Sequence, residues 1–265
     1  MVKVLGKGFE LERFFDSVTN AAQRVLMLDY DGTLAPFKVK RDEAFPYPGI
    51  REVLHEMIQT KDSRIVIISG RWMGDLIPLL GLNELPEIWG SHGWERLLPD
   101  RTYHIKKPDE RALEGIARAE SWILGEKLSR YCERKHSSLA LHLRGIDPSE
   151  SQAVKDKILE KWSGIAQQSG LNVEEFDGGV ELRSPGPNKG HAVNTILDEM
   201  GEGTAVAYLG DDCTDEDAFA ALGARGLSVL VREELRQTGA HVWLKPPEEL
   251  FWFFDRWSEA CRMTT

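Results

Sequence analysis

Asp29-Tyr30-Asp31-Gly32-Thr33 follows directly on the apolar run Val25-Leu26-Met27-Leu28. Two further apolar runs, residues 65–68 and 205–209, also end at polar residues. Continuous apolar runs are typical of strands that are buried on both faces of a parallel sheet. In open sheets of this kind, ligands bind beyond the carboxyl ends of the strands. The polar residues that follow these runs are therefore predicted to meet at one edge of a sheet.

Three other short polar runs occur in order along the chain, each at a strand end or before a helical pattern. They are Ile68-Ser69-Gly70-Arg71, Asn188-Lys189-Gly190 and Gly210-Asp211-Asp212-Cys213-Thr214-Asp215. Together with the first run they predict a magnesium-dependent phosphoryl-transfer site at the sheet edge.

The two aspartates of the first run have a spacing that suits phosphoryl transfer through a carboxylate. Asp29 could attack phosphorus and form an aspartyl-phosphate, while Asp31 protonates the leaving oxygen and later accepts a proton from water. Gly32 would permit the tight turn that directs both carboxylates at one ligand. The alternative is an Asx turn at a strand end with solvated acids.

The last run crowds like charges into one loop, which is unfavourable unless a cation is present. Hard carboxylate oxygens suit Mg²⁺, which binds a few carboxylates together with water and substrate phosphate. The alternative is an acidic helix start that is capped by Thr214, which accounts for Asp215 but poorly for Asp211 and Asp212. The predicted ligands of Mg²⁺ are Asp29, Asp31, Asp211, Asp212 and Asp215.

Lys189 and Ser69 are the candidates for binding the phosphoryl group. Lys189 begins a helical pattern, where backbone amides and a lysine could hold an anion. Ser69 ends an apolar run and could donate a hydrogen bond to a phosphoryl oxygen. Taken alone, Lys189 could equally be a solvated loop residue and Ser69 a helix cap, but four such runs in one chain favour the catalytic interpretation.

Composition limits the kinds of partner that the 265-residue chain can bind. A net charge of −10 argues against nucleic-acid and anionic-membrane binding, because both rely on basic patches. No apolar run reaches the roughly 18 residues that a membrane span needs. Cys132, Cys213 and Cys261 form no CxxC pair, which fits a reducing compartment. We therefore expect a cytoplasmic protein, with its oligomeric state unknown.

The order of the patterns predicts two domains. Alternation of strand and helix over residues 1–100 and 185–265 predicts an α/β core with a Rossmann-like, mostly parallel sheet. Between them the pattern changes to two long helices and short antiparallel strands, of which one pair is joined by the turn Asp177-Gly178-Gly179. Residues 101–184 are therefore expected to form an inserted α+β cap domain.

These runs resemble the haloacid-dehalogenase-like hydrolases and, within them, the trehalose-6-phosphate phosphatase family. The resemblance covers nearly the whole chain, and it implies a C2-type cap, Mg²⁺ as the cofactor and a small sugar phosphate as the substrate. The core roles that it implies are nucleophile for Asp29, acid/base for Asp31, phosphate-binding hydroxyl for Ser69, cationic residue for Lys189 and metal acid for Asp211, with Asp212 and Asp215 in support.

Further runs resemble the same family, and three of them lie in the predicted cap. They are Ser91-His92-Gly93, Glu133-x-Lys135, Leu141-His142-x-Arg144 and Glu181-x-Arg183. The chain departs from the family at Leu143, where Tyr is common, and at Ser184, which separates an Arg and a Pro that are commonly adjacent. The expected substrate-binding residues are Gly70, Arg71, His92, Glu133, Lys135, Arg144, Glu181 and Asn188.

The cap residues among these are expected to form a polar ring that pairs with sugar hydroxyls, and surface ion pairs on a wetted sheet face are the alternative. The leading expectation is hydrolysis of trehalose 6-phosphate. The second is the same mechanism on sucrose phosphate, glucosylglycerol phosphate or a mannosylglycerate phosphate. The third is a non-catalytic module of a sugar-synthase assembly, although such a module would be expected to lose the acids that this chain keeps.

Overall fold

The computed structural model describes residues 2–176 and 178–263, which form thirteen strands and eight helices. The strands are β1 Lys3–Val4, β2 Gln23–Leu28, β3 Arg64–Ile68, β4 Glu87–Gly90, β5 Glu95–Leu97, β6 Tyr103–Ile105, β7 Cys132–Arg134, β8 Ser138–His142, β9 Asn172–Phe176, β10 Gly179–Arg183, β11 Thr204–Gly210, β12 Leu227–Val231 and β13 Val242–Leu244. The helices are α1 Leu11–Asn20, α2 Ile50–Thr60, α3 Met73–Leu80, α4 Glu110–Gly125, α5 Pro148–Ser169, α6 Lys189–Asp198, α7 Glu216–Leu222 and α8 Glu248–Arg262.

Nine strands join one sheet in the order β1-β13-β12-β11-β2-β3-β4-β5-β6. Six neighbouring strands of this sheet are parallel to one another: β13, β12, β11, β2, β3 and β4. β1 pairs antiparallel with β13, and β5 pairs antiparallel with β4. The carboxyl ends of β11, β2, β3 and β4 therefore lie side by side at one edge. The predicted α/β class with a mostly parallel sheet is confirmed.

The apolar runs of the central strands are continuous because both faces of the sheet are covered. In β2, Leu26 and Leu28 belong to one hydrophobic core, to which α1, α2, α3 and α8 contribute. Val25 and Met27 belong to the core on the other face, to which α6 and α7 contribute. Successive side chains of a strand point to opposite faces, so each position in the run needs an apolar residue.

The chain divides into two compact units: unit 1, Met1–His104 with Pro187–Thr265, and unit 2, Ile105–Gly186. Unit 2 has a four-stranded antiparallel sheet in the order β7-β8-β10-β9. Leu139 and Leu141 of β8 share a hydrophobic core with α4 and α5. The cap function of the inserted segment stays a prediction.

Some features differ from the sequence patterns. The patterns did not predict β1, β5 or β6, which have two or three residues each and contain no apolar run. Of the predicted turn in unit 2, Asp177 lies outside the described residues, whereas Gly178 has a φ of +92° and Gly179 begins β10. Among the described residues, no helix is both long enough and apolar enough to cross a membrane.

Candidate active site

The predicted catalytic runs meet at the carboxyl edge of the large sheet. Asp29 follows β2, Ser69 follows β3 and Asp211 follows β11. The backbone N–H of Asp29 donates to the carbonyl of Leu209, 2.9 Å away, which continues the ladder between β2 and β11 into the site. The strand order thus brings together residues that are far apart in sequence.

Lys189 is buried between two carboxylates. Its Nζ lies 2.8 Å from Oδ1 of Asp29 and 2.7 Å from Oδ1 of Asp215. It is the first residue of α6, and Asn188 caps this helix by accepting a hydrogen bond from the N–H of His191 at 2.8 Å. A solvated loop position is therefore wrong for Lys189.

Asp215 organises the acidic loop through both of its oxygens. Oδ1 accepts a hydrogen bond from the hydroxyl of Tyr208 at 2.6 Å in addition to that from Lys189. Oδ2 accepts from the N–H of Asp211 at 3.1 Å and from that of Asp212 at 2.9 Å. With four donors, Asp215 fixes the backbone of the loop that carries Asp211.

The carboxylate of Asp211 differs from that of Asp215 in its hydrogen bonding. Its side chain is 1% exposed, and neither carboxylate oxygen has a hydrogen-bond partner among the described residues. The guanidinium of Arg232 lies 3.7 Å from Oδ2, which is too far for a hydrogen bond. A buried carboxylate without donors is costly. The Asp211 side chain is therefore poised for a ligand that supplies positive charge.

The neighbouring acids complete a set of oxygen donors. One carboxylate oxygen each from Asp29, Asp211 and Asp215 lies within 4.8 Å of the other two, and all three residues are buried. This donor set suits a hard divalent cation that prefers oxygen ligands. The unpartnered oxygens of Asp211 and the crowding of like charges both fit such an ion.

The same burial shifts the pKa values of these groups. Burial raises the pKa of Asp29 to about 7, although the Lys189 ammonium acts to lower it. Burial, together with the charges of Asp29 and Asp215, raises the pKa of Asp211 well above its usual range. Burial alone would lower the pKa of Lys189, but Asp215 and Asp29 outweigh it, so the pKa of Lys189 is raised and the ammonium stays charged.

Asp31 and Arg71 form a bidentate ion pair. The Arg71 Nε and Nη2 atoms each lie 2.6 Å from one oxygen of Asp31, and Nη1 donates to the carbonyl of Arg41 at 3.0 Å. Arg71, expected to bind substrate, is thus engaged with the predicted acid/base. The paired donors fix the plane of the Asp31 carboxylate.

The side chains of Asp212 and Ser69 each accept a hydrogen bond from a nearby backbone N–H. Asp212 caps the turn Cys213–Asp215 by accepting from the N–H of Cys213 at 2.7 Å, and Asp215 is at the cap position of α7, so the alternative in which Thr214 caps an acidic helix start is wrong. The Ser69 hydroxyl oxygen accepts from the N–H of Arg71 at 3.1 Å and is buried. Ser69 does not cap α3, whose cap position is Trp72.

The run after β4 has an unusual backbone. Ser91 and His92 have φ values of +48° and +56°, which are uncommon for residues with a side chain. The His92 ring packs against Gly70, where an added Cβ would lie 2.5 Å from Cε1 of the ring. The glycine of the Ser-Gly-Arg run is thus explained by the close approach of His92.

Unit 2 gathers several of its predicted residues on neighbouring strands. Oε1 of Glu181 accepts from Lys135 at 2.8 Å and from the hydroxyl of Ser138 at 2.7 Å. Oε2 of Glu133 lies 3.0 Å from Nε2 of His142. The side chains of Glu133, Lys135 and Glu181 are at most 10% exposed, so surface ion pairs do not describe them. Among the other expected residues, Arg144 lies beside Gly178 at the end of this sheet, where an added Cβ would meet its Cγ at 2.5 Å.

Tyr208 is a member of the site that the sequence patterns did not predict. Tyr208 lies within the apolar run of β11, but its hydroxyl donates a hydrogen bond to Asp215. A tyrosine two residues before the Gly-Asp-Asp run was the available signal. Burial, with the Asp215 carboxylate beside it, raises the pKa of Tyr208, which keeps its hydroxyl a donor.

A sequence profile of the family described as Trehalose-phosphatase matches residues 27–239, which include every run of this site. The chain belongs to the trehalose-phosphatase family. A trehalose-phosphate phosphatase of Mycobacterium tuberculosis H37Rv is 31% identical over 258 residues, covering 91% of this chain. Trehalose-phosphate phosphatase B of Arabidopsis thaliana is 30% identical over 275 residues, covering 94% of this chain and 71% of that protein.

The solved structures agree with the fold of this family member. The C-terminal domain of C. albicans trehalose-6-phosphate phosphatase matches with a TM-score of 0.80 at 21% identity, covering 99% of this chain and 98% of that domain. At this identity the likeness shows the fold alone. The chain spans 63% of the length of the mycobacterial relative.

Gly32 allows the first run to approach Asp211. It has a φ of +80°, and an added Cβ would lie 2.2 Å from Oδ2 of Asp211. We expect Gly32→Ala to lower phosphate release from p-nitrophenyl phosphate by at least about 10²-fold, because the reacting groups would be displaced by about an ångström. Gly164→Ala is the control, since an added Cβ there meets nothing within 4 Å. Activity like that of the parent in Gly32→Ala would contradict this account.

Proposed function

We propose that the chain is a magnesium-dependent phosphatase that hydrolyses trehalose 6-phosphate to trehalose and phosphate through an aspartyl-phosphate on Asp29. The observation that carries this proposal is the buried contact of Lys189 with Asp29 and Asp215, beside an Asp211 carboxylate that accepts no hydrogen bond from the described residues. Membership of the trehalose-phosphatase family supports the reaction class. The cytoplasmic location, and the absence of nucleic-acid and membrane partners, stay predictions from composition.

The reaction needs two displacements at phosphorus. In the first, a carboxylate oxygen of Asp29 forms a bond to phosphorus, the bond from phosphorus to the sugar oxygen breaks, and Asp31 gives its proton to that oxygen. In the second, water attacks the same phosphorus, Asp31 accepts the water proton, and Asp29 is released with phosphate. Arg71 holds the Asp31 carboxylate in one plane, and each oxygen keeps a second lone pair for the proton.

The remaining residues of unit 1 stabilise charge. Lys189 orients Asp29 through Oδ1, and its ammonium stays charged beside the place where negative charge develops. Ser69 offers a hydroxyl to a phosphoryl oxygen. Asp29, Asp211 and Asp215 would hold Mg²⁺, with Asp31 and Asp212 as the other predicted ligands. Bound Mg²⁺ would favour the ionised acids and neutralise part of the phosphoryl charge.

The sugar is assigned to the polar cluster of unit 2, which comprises Glu133, Lys135, Ser138, His142 and Glu181. Its members are buried or partly buried and are hydrogen-bonded to one another. Such groups discriminate strongly between ligands, because a sugar with mismatched hydroxyls leaves buried polar atoms unsatisfied. This supports a substrate that is rich in hydroxyl groups.

A panel of substrates tests the proposal directly. Phosphate release with Mg²⁺ would be measured on trehalose 6-phosphate, sucrose phosphate, glucosylglycerol phosphate, a mannosylglycerate phosphate and p-nitrophenyl phosphate. The highest kcat/KM is expected for trehalose 6-phosphate. A higher value for another sugar phosphate would reassign the substrate and keep the mechanism, and release from none of them would favour a non-catalytic module.

Asp29→Asn is expected to abolish turnover with the fold retained, because an amide is a poor nucleophile. Asp31→Asn should act on a later step: the phosphoenzyme should still form from p-nitrophenyl phosphate, but its hydrolysis should slow by about 10²–10⁴-fold. Steady-state assays and acid-quenched phosphoenzyme levels measure the two effects. Turnover near the parent rate in Asp29→Asn would exclude the mechanism.

Substitutions in the polar cluster should impair recognition of the sugar and leave phosphoryl transfer unchanged. Glu133→Ala or Glu181→Ala is expected to lower kcat/KM for trehalose 6-phosphate by at least about tenfold, while p-nitrophenyl phosphate is hydrolysed almost as before. Glu114→Ala is the control, because Glu114 is an exposed glutamate on α4 of the same unit. Equal losses on both substrates, or none on either, would remove the cluster from the substrate site.

The raised pKa values predict how metal-dependent stability varies with pH. The pKa of Asp29 rises from 3.8 to about 7, and that of Asp211 rises too. Between these values the folded chain keeps protons that the unfolded chain releases, so metal-free stability falls as pH rises through that window. Because Mg²⁺ competes with these protons, its addition should raise Tm more at about pH 8 than at about pH 5.

Asp211→Asn tests the source of this effect. The metal-free variant should be at least as stable as the parent at about pH 8, since one buried charge is removed, and its Tm should no longer respond to Mg²⁺. Asp255→Asn on the exposed side of α8 is the control and should respond like the parent. A parent-like Mg²⁺ response in Asp211→Asn would show that the metal assignment is wrong.

A further inference from the structure

Arg236 contacts the acidic loop through its backbone. The side chain is 19% exposed. Its Nε donates to the carbonyl of Asp211 at 3.1 Å, and its Nη2 donates to the carbonyl of Asp212 at 2.7 Å. Arg236 thus binds two successive carbonyls of the loop that follows β11, from a segment that follows β12 and lies 24 residues further along the chain.

The Arg236 guanidinium is itself held in place. Its Nη1 forms an ion pair with Glu216, the first residue of α7, and donates to the carbonyl of Gln237 at 2.8 Å. The other oxygen of Glu216 accepts a hydrogen bond from the N–H of Gly239 at 2.8 Å. Each arm of the guanidinium therefore has a partner, which restricts it to one orientation.

The backbone of Asp211 and Asp212 is consequently fixed from two sides. Asp215 accepts hydrogen bonds from both N–H groups, and Arg236 donates to both carbonyls. The Asp211 carboxylate has no hydrogen-bond partner among the described residues that could hold it in place. Its position relative to Asp29 therefore depends on the backbone that carries it.

We propose that Arg236 is a positioning residue for the metal site, which it serves by fixing the backbone of the loop that presents the Asp211 carboxylate. This inference rests on the proposed function for the identity of the ion. Arg236 donates to the carbonyls of Asp211 and Asp212 and makes no contact with the Asp211 carboxylate that is given to the ion. Residues that orient metal ligands without touching the metal typically change metal affinity by about 10–100-fold when substituted.

The requirement is for the geometry of arginine as well as its charge. A guanidinium presents several N–H donors in a rigid fork and can bind two carbonyls and a carboxylate at once. A lysine ammonium carries the same charge on a flexible stem and lacks this fork. Arg236→Lys therefore separates positioning from simple charge balance beside the buried acids.

The test measures Mg²⁺ binding by isothermal titration calorimetry without substrate. Arg236→Lys and Arg236→Gln are both expected to raise the Kd for Mg²⁺ by at least about tenfold. Turnover of trehalose 6-phosphate should return to within about threefold of the parent kcat at saturating Mg²⁺, because the reacting groups are untouched. Arg262→Gln is the matched control: its side chain is 54% exposed and pairs with Glu56 on the surface, so its Kd should equal that of the parent.

Glu216→Gln keeps the test decisive should Arg236→Gln fail to fold. The amide loses the charge that anchors the guanidinium, so the Kd for Mg²⁺ should rise several-fold with the fold retained by circular dichroism. A parent-like Kd in Arg236→Lys, or an equal rise in Arg262→Gln, would overturn the proposal.

The same measurements distinguish a wrong role for Arg236 from a wrong function for the protein. A parent protein that does not bind Mg²⁺ would remove the metal site and the role of Arg236 together. A parent that binds Mg²⁺ but releases no phosphate from trehalose 6-phosphate would remove the substrate alone, and the calorimetric comparison would still decide the role of Arg236.

Discussion

The sharing of one buried ammonium by two carboxylates is the interaction on which the rest of the site depends. Lys189 joins the start of α6 to Asp29 after β2 and to Asp215 after β11. The carboxylates of Asp29, Asp211 and Asp215 lie together around this one ammonium, and the next cation, the guanidinium of Arg232, is 3.7 Å from Asp211. Charges buried without partners are strongly unfavourable. The fold therefore has a built-in requirement for a further cation at this position, and the raised pKa values of Asp29 and Asp211 express the same requirement in its absence.

The acidic side chains of the site differ in how they are held: Asp215 is fixed by hydrogen bonds, whereas the carboxylate of Asp211 is available to a ligand. Asp215 and Tyr208 are fully engaged in hydrogen bonds and act as the frame. Neither carboxylate oxygen of Asp211 accepts a hydrogen bond from the part of the chain that the structure describes, and Gly32 lets the first run come close to it. Reorienting a side chain that is held by several hydrogen bonds costs free energy, whereas a buried carboxylate without hydrogen bonds is stabilised most by a bound ligand. Asp211 and Asp215, four residues apart in one loop, are both proposed ligands of Mg²⁺, but Asp215 also fixes the backbone of the loop.

The sequence predicted the strands and their polar ends because a parallel sheet leaves a local pattern: a short apolar run, a turn and a charged residue. Asp29, Ser69 and Asp211 could be placed in this way. The partners of these residues could not, because the contact between Arg71 and Asp31 spans 40 residues and that between Arg236 and Asp212 spans 24. No local pattern marks a residue whose role is decided by tertiary contact. The same holds in unit 2. The spacing of Glu133 and Lys135 predicts that they share one face of a strand, but their hydrogen bonds with His142 and Glu181 depend on strand pairing.

The central claim is that Asp29 receives the phosphoryl group. The most direct measurement is acid quenching of the parent protein during turnover of trehalose 6-phosphate with Mg²⁺, followed by proteolysis and mass spectrometry. We expect a phosphorylated peptide that contains residues 23–33 with the modification on Asp29, and we expect it to be lost when the quench follows exhaustion of the substrate. Phosphate release without any phosphorylated peptide, or with the modification on another residue, would contradict it.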